Sequence, residues 1–444
     1  MINMTEGRPS ALILKFSIPL LAGNVLQQMY NLVDSLVVGN FVGKEALAAV
    51  GSTFILNFLL VSLFSGLGLG FTIIISQFYG SGNREKIRSA VDTAYLSAVI
   101  GAIPVTIIGV LATGPLLRLM NTPPGITMGM SSTYLSILFI GTIGSFGYNI
   151  NAGILQGLGD SVSSLIFLAI ATVLNIVLDL VFVVVFGWGV AGVAWATIIS
   201  QAVSFLIGVV FIVHKLKLTS LDVKDLRFDP VILKESARIG LPGGFQNMLF
   251  CIGSIAIQRL INGYGPVFMA GYSISSRIDS VAFMPIASFA TAVTTYTGQN
   301  VGAGRLDRVK AGFRVTHIMS GAVCLVISLL VIVGARALMS LFSPDAEVIY
   351  TGSQVLYRLM PAYILLSFLF ITNSVLRGAG ESFWPFVASM TSFLFLRLPA
   401  AYLLDHFYGK GEIGWCYGIG WVFGLCVAIP YYLAGNWKRR IPQK

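Results

Sequence analysis

Asn24, Gln27, Asn31 and Asp34 punctuate the first long apolar stretch of the chain. Their spacing of three, four and three places them on one face of a helix. Asn175 and Asp179 lie four apart, as do Thr197 and Gln201, so each pair shares a helical face. Three helices of this kind can gather two carboxylates and several neutral oxygens. Such a set suits a hard cation such as sodium. It can equally carry a proton, because desolvation and a neighbouring like charge both favour the neutral acid. The plainer alternative is a hydrogen-bonded cluster that only joins helices. At membrane depth a carboxylate costs at least about 2.5–3.5 kcal/mol on insertion scales, which makes Asp34 and Asp179 functional candidates by default.

The elements that would hold these residues are membrane spans. The chain has 444 residues, of which 56% are hydrophobic and only 10% charged. A soluble domain carries about 25% charged residues. Apolar runs of roughly 20 residues, enough to cross a bilayer, recur twelve times and leave no room for a soluble domain. The fold class expected is therefore an all-α membrane protein. Arg8 and Lys15 lead into the first run without a small-residue cleavage site, which reads as a signal anchor. Cys251, Cys324, Cys416 and Cys426 all sit in apolar runs with no CxxC spacing, so they read as small buried hydrophobes.

The formal charge of +10 is topology information rather than a nucleic-acid footprint. With twelve spans, twenty of the 28 basic residues fall on the side of the termini. Four, Lys44, Arg118, Arg336 and Lys410, fall on the other, and Lys444 belongs to the basic side. This positive-inside bias predicts cytoplasmic termini and a multi-pass protein of the cell membrane.

The chain also repeats. Gln77–Arg88, with Gly80-x-Gly82, recurs as Gln299–Lys310, with Gly302-x-Gly304; Leu155-Gln-Gly157-Leu-Gly159-Asp160-Ser161 recurs as Leu376-Arg-Gly378-Ala-Gly380-Glu381-Ser382. Pro19 and Asn24 match Pro242 and Asn247. An offset of 221 to 223 residues covers six spans, so the halves enter the membrane in the same orientation, as parallel repeats. The expected division is an N-terminal lobe at 1–214, a linker at 215–236 and a C-terminal lobe at 237–444. The Gly-x-Gly segments read as tight turns. The repeat breaks at the candidate site, where Asp34, Asn175 and Asp179 become Ile257, Arg397 and Ala401. Coupling chemistry is thus expected in the N-terminal lobe alone. Arg397 reads as a buried cation bonded to backbone carbonyls, and Arg277 with Asp279 as a structural charge pair or an interface feature rather than ligands. His214, His317 and His406 receive no role.

In their order and spacing, Pro19 fifteen residues before Asp34, Asn175-x3-Asp179, Thr197, the two Gly-x-Gly loops and Arg277-x7-Pro285 resemble the multidrug and toxic compound extrusion (MATE) family, over the whole chain. The resemblance implies twelve helices in two six-helix lobes and export of amphipathic, often cationic, compounds by alternating access, driven by Na+ or H+. It implies a cation site at Asp34, Asn175, Asp179 and Thr197, and a bend at Pro19. A second branch of the family has an acidic residue in the seventh span. Here that stretch holds Gln246 and Asn247 instead, which points to the branch named for a DNA-damage-inducible member. Gln27, Asn31, Gln201, Gln246 and Asn247 are the candidate substrate-lining residues. The chain is expected to act as a monomer amid membrane lipid, with small amphipathic substrates, no nucleic-acid partner, no cofactor beyond the coupling ion and no enzymatic activity. A flippase for a lipid-linked sugar, and a channel, receptor or membrane enzyme, are the rival readings. The sequence carries no HExxH, Walker A or catalytic-triad order, and Gly66, Gly68 and Gly70 fit close helix packing.

Overall fold

The computed structural model describes the chain except residues 121, 123, 221, 410, 411 and 441–444. Lys410 and Lys444 of the charge distribution therefore lie outside the described residues. The α-helices are α1 (Pro9–Val37), α2 (Lys44–Gly80), α3 (Arg84–Leu119), α4 (Ile126–Ile140), α5 (Thr142–Gly157), α6 (Ser161–Asp179), α7 (Gly189–Val210) and α8 (Pro230–Asn262). They continue as α9 (Pro266–Gly302), α10 (Leu306–Ser340), α11 (Ala346–Leu359), α12 (Tyr363–Gly378), α13 (Phe383–Met390), α14 (Arg397–Tyr408) and α15 (Trp415–Ala434). Eleven helical segments among the described residues are long and apolar enough to span a membrane, and α4 with α5, bent by 53°, makes the twelfth. The bend falls at Gly141, where a Cβ would lie 2.2 Å from Ile198 Cγ2. Side chains such as Val333, Leu119 and Ile318 are 87%, 80% and 71% exposed, a surface that suits lipid and not water.

Small residues let the helices approach at backbone distance, as membrane packing favours. A Cβ on Gly66 would meet Gly240 O at 2.8 Å, and one on Gly70 would meet Ser236 O at 2.0 Å. The repeated turns are built alike. Gly82, Gly304, Gly159 and Gly380 have φ of 70°, 74°, 80° and 89°, the left-handed region that glycine enters without penalty. Each ends a helix with the same 6→1 bond: Asn83 N to Phe78 O, Arg305 N to Asn300 O, Asp160 N to Leu155 O and Glu381 N to Leu376 O, at 2.8 to 3.2 Å. This is the Schellman geometry, and it is the tight-turn role expected for these glycines.

The chain packs as two compact units, Met1–Ile2 with Ala22–Gly244, and Asn3–Leu21 with Phe245–Lys444. This differs from a division at 214 and 237, because the boundaries fall inside α1 and α8, shortly after Pro19 and Pro242. Side-chain bonding shows the cause. In the first unit the stretch before α8 is held by Asp92 and Thr93: Arg227 N donates to Asp92 Oδ2 at 3.3 Å and Asp229 N to Thr93 Oγ1 at 3.0 Å. In the second, the stretch before α1 is held by the α9–α10 turn. Met4 N donates to Gln299 Oε1 at 2.9 Å, and Arg308 donates to Met4 O and Gly7 O at 3.0 and 2.9 Å. The first unit has a core around Phe64, Phe71 and Phe146, with Phe64 and Phe146 stacked at 4.3 Å. The second has one around Tyr363, Leu369 and Trp421. All four cysteines are free; Cys324 and Cys416 are buried, Cys251 is half-buried and Cys426 is exposed.

Candidate functional site

The site is assembled from α1, α4, α6 and α7 within the first unit. Asp34 comes from the last turn of α1, just ahead of a π-helical turn at Val38–Val42, and Asp179 ends α6 just ahead of another at Leu180–Val185. Widened turns of this kind are frequent at functional sites. The Asp34 and Asp179 carboxyl groups lie within side-chain hydrogen-bonding reach of each other. Tyr30 and Tyr134 stand in electrostatic contact with both. The Tyr30 hydroxyl donates to Thr197 Oγ1 on α7 at 3.3 Å. Asn175 sits one turn before Asp179, and both are fully buried.

Five buried atoms here have no hydrogen-bond partner: Asp34 Oδ1, both amide atoms of Asn175 and both carboxylate oxygens of Asp179. Buried polar groups are paired in the great majority of cases, so this concentration is a property of the site. Its surroundings are apolar, with Val37, Val38, Tyr134, Ile137, Leu138, Val183 and Val190 in one packed cluster. Low polarity strengthens every charge interaction inside. Two adjacent carboxylates, a free amide and a hydroxyl in such a place can take up one positive charge, as a proton shared between the acids or as an alkali cation held by oxygens.

The other candidates lie elsewhere. Gln201 accepts a short hydrogen bond from Ser145 Oγ, which ties α7 to α5. Gln27 and Asn31 are exposed on α1. In the second unit Gln246 Nε2 donates to Ser389 Oγ at 2.8 Å, an oxygen that Asn373 also reaches, while Asn247 is exposed. Pro19 lies inside α1, which continues through it. Two expectations are corrected. Asp279 does not pair with Arg277; its Oδ1 accepts from Tyr363 at 2.7 Å, because residues two apart on a helix point in different directions. Arg397 does not spend its Nε on a carbonyl; that atom has no partner, and the guanidinium lies 3.7 Å from the centre of the Tyr417 ring. Tyr30 and Tyr134 were missed in the sequence. Tyr30 had a signal, since it precedes Asp34 by four on the same face. Tyr134 had none, because only the packing of α4 brings it in.

The comparisons agree with this geometry. The MatE family model matches residues 19–181 and 242–403, one segment in each repeat. The probable multidrug resistance protein YpnP of Bacillus subtilis is 34% identical over 445 residues, covering 98% of this chain and 97% of that protein. A solved multidrug resistance MATE family transporter in an outward-facing conformation is 26% identical, with a TM-score of 0.89 over 98% of this chain and 96% of that one. A MATE structure in the bent conformation is 25% identical, with a TM-score of 0.88 over 98% and 96%. A twelve-span helical protein that matches over almost its whole length, in both sequence and structure, has one reading: the chain belongs to the multidrug and toxic compound extrusion family and is a multidrug efflux transporter, not an enzyme.

Proposed function

We propose that the chain is a cation-coupled antiporter that exports amphipathic, chiefly cationic, small molecules, with Asp34 and Asp179 as the coupling pair. The observation that carries this is the adjacency of two buried carboxylates, three of whose four oxygens are buried without donors, in a unit whose repeat partner has Ile257 and Ala401 instead. When both acids are ionised they repel, and entry of Na+ or H+ relieves that repulsion. Asn175 and Thr197 supply neutral oxygens for a cation. The Tyr30–Thr197 bond links α1 to α7, so a change of charge at Asp34 is felt along α1. That helix contains Pro19, whose ring removes one backbone hydrogen bond and eases bending. A bent MATE relative makes that response a natural one. One elementary charge moved through 100 mV supplies about 2.3 kcal/mol, enough to bias the cycle more than tenfold.

The exposed polar positions of α1, Gln27, Gln28 and Asn31, are uncharged, which favours a neutral or cationic amphiphile over a lipid-linked phosphate. The basic excess on the terminal side supports cytoplasmic termini and a location in the cell membrane. The test is dye efflux from proteoliposomes with sodium and proton gradients imposed separately. One gradient is expected to drive efflux by the natural protein and neither to drive it in Asp34→Asn. Gradient-driven efflux by Asp34→Asn at the natural rate overturns the reading.

A further inference from the structure

The second unit contains a buried charge cluster that the transport reading leaves unused. Arg397 begins α14, is 5% exposed, and has a buried Nε without a partner. Its guanidinium carbon stands 3.7 Å above the centre of the Tyr417 ring of α15, well inside the distance at which a cation is held by a π face. The Tyr417 hydroxyl shares a 2.7 Å hydrogen bond with that of Tyr272 on α9. Asp279, two turns further along α9, lies in electrostatic reach of Arg397 and accepts from the Tyr363 hydroxyl at 2.7 Å. Tyr363 and Tyr417 both pack edge-on against Trp421, with centroids 6.0 and 5.9 Å apart.

The place is as telling as the contents. Ile257 and Ala401, the repeat counterparts of Asp34 and Asp179, are packed together in one apolar cluster with Cys416, and Tyr272 and Tyr417 pack against it. The second unit has therefore kept the geometry that gathers the site in the first. It has exchanged the carboxylates for carbon, and at the counterpart of Asn175 it carries a cation on a side chain.

We propose that this cluster is a monovalent-cation site whose cation is built in: the Arg397 guanidinium occupies it permanently, balanced by Asp279 and seated on Tyr417. The second unit then stays in one charge state through the cycle. The inference goes beyond the coupling role of Asp34 and Asp179 and stands on the second unit alone, so it survives if that role fails.

Removing the tether should uncover the site. In Arg397→Ala, guanidinium or methylguanidinium at millimolar, non-denaturing concentration should bind and raise the unfolding temperature of the purified protein in detergent. A ligand at ten times its Kd raises the folded-to-unfolded ratio about elevenfold. The natural protein should show no such rise, and neither should Arg397→Ala combined with Asp279→Asn. A folded Arg397→Ala that ignores both cations overturns the proposal, as does an equal response in the double variant. If Arg397→Ala does not fold, the double variant must recover folding, since both charges are then gone. Failure to recover overturns it too.

Discussion

Asparagine in place of Asp179 should make the protein more stable and stop it coupling. A buried carboxylate replaced by an amide of the same shape exchanges a repulsion for a donor. Two full charges about 4 Å apart at an effective dielectric of about 20 repel by about 4 kcal/mol, and a hydrogen bond to a charged group contributes about 1.5–3 kcal/mol. The natural pair escapes part of that repulsion by holding a proton or a cation, so a net gain of about 2 kcal/mol is expected where both acids are ionised. For a unit of roughly 200 residues that is a rise of about 4–8 °C in unfolding temperature. The gain should grow with pH and shrink when sodium is added, if sodium is the coupling ion, because either a bound proton or bound sodium already relieves the natural pair. Coupling should fall in parallel. One charge through 100 mV supports a gradient of roughly fiftyfold, and a variant that couples no charge should accumulate no dye beyond equilibrium. Differential scanning fluorimetry across pH and sodium concentration, alongside proteoliposome efflux, reads both effects. A drop of several degrees at every pH, or undiminished gradient-driven efflux, would refute the reasoning.

Tyr30→Phe removes the bond to Thr197; at about 1 kcal/mol for a neutral hydrogen bond, maximal efflux should fall about fivefold in the proteoliposome assay with the protein still monodisperse. Gly70→Ala drives a Cβ to within 2.0 Å of Ser236 O and should destabilise by about 1–3 kcal/mol. Gly114→Ala, which meets nothing within 4 Å, should be neutral or slightly stabilising by the same thermal measurement. Glu412 is held below the usual carboxylate range by hydrogen bonds from Arg358, at 2.7 Å to its Nε. A depressed carboxyl stabilises the fold above its ordinary value and loses that contribution as pH falls through its own. Natural protein and Glu412→Gln should therefore differ most in unfolding temperature at neutral pH and converge below about pH 4; a constant difference down to that pH would show that the pair contributes nothing.

Much of this was legible in the residues because it is local or periodic. The Gly-x-Gly turns announced themselves by recurring, and a left-handed glycine closing a helix is a short-range event. Asp34 and Asp179 stood out because a carboxylate in an apolar run has few bland explanations. The residues that resisted reading depend on partners far away in the chain. Gln201 and Gln246 look like cavity polars in sequence, and the hydrogen bonds that Ser145 and Ser389 make to one atom of each across helix pairs could not be foreseen there. Gly141, at the bend, leaves room for Ile198, 57 residues later. Arg397 met an aromatic face rather than a carbonyl because Tyr417 arrives on the next helix. The division of α1 and α8 was hidden for the same reason, since nothing inside either helix says which side chains hold its first half.

That division also sets a timetable for the protein's birth. Met4 is made ahead of its acceptor Gln299, which follows 295 positions later. At synthesis rates of about 5–20 residues per second, the opening segment waits roughly 15–60 s for the turn that will hold it. During that interval the stretch before α1 lacks the acceptor that will hold Met4. The stretch around Met4 is thus made well before the turn that fastens it.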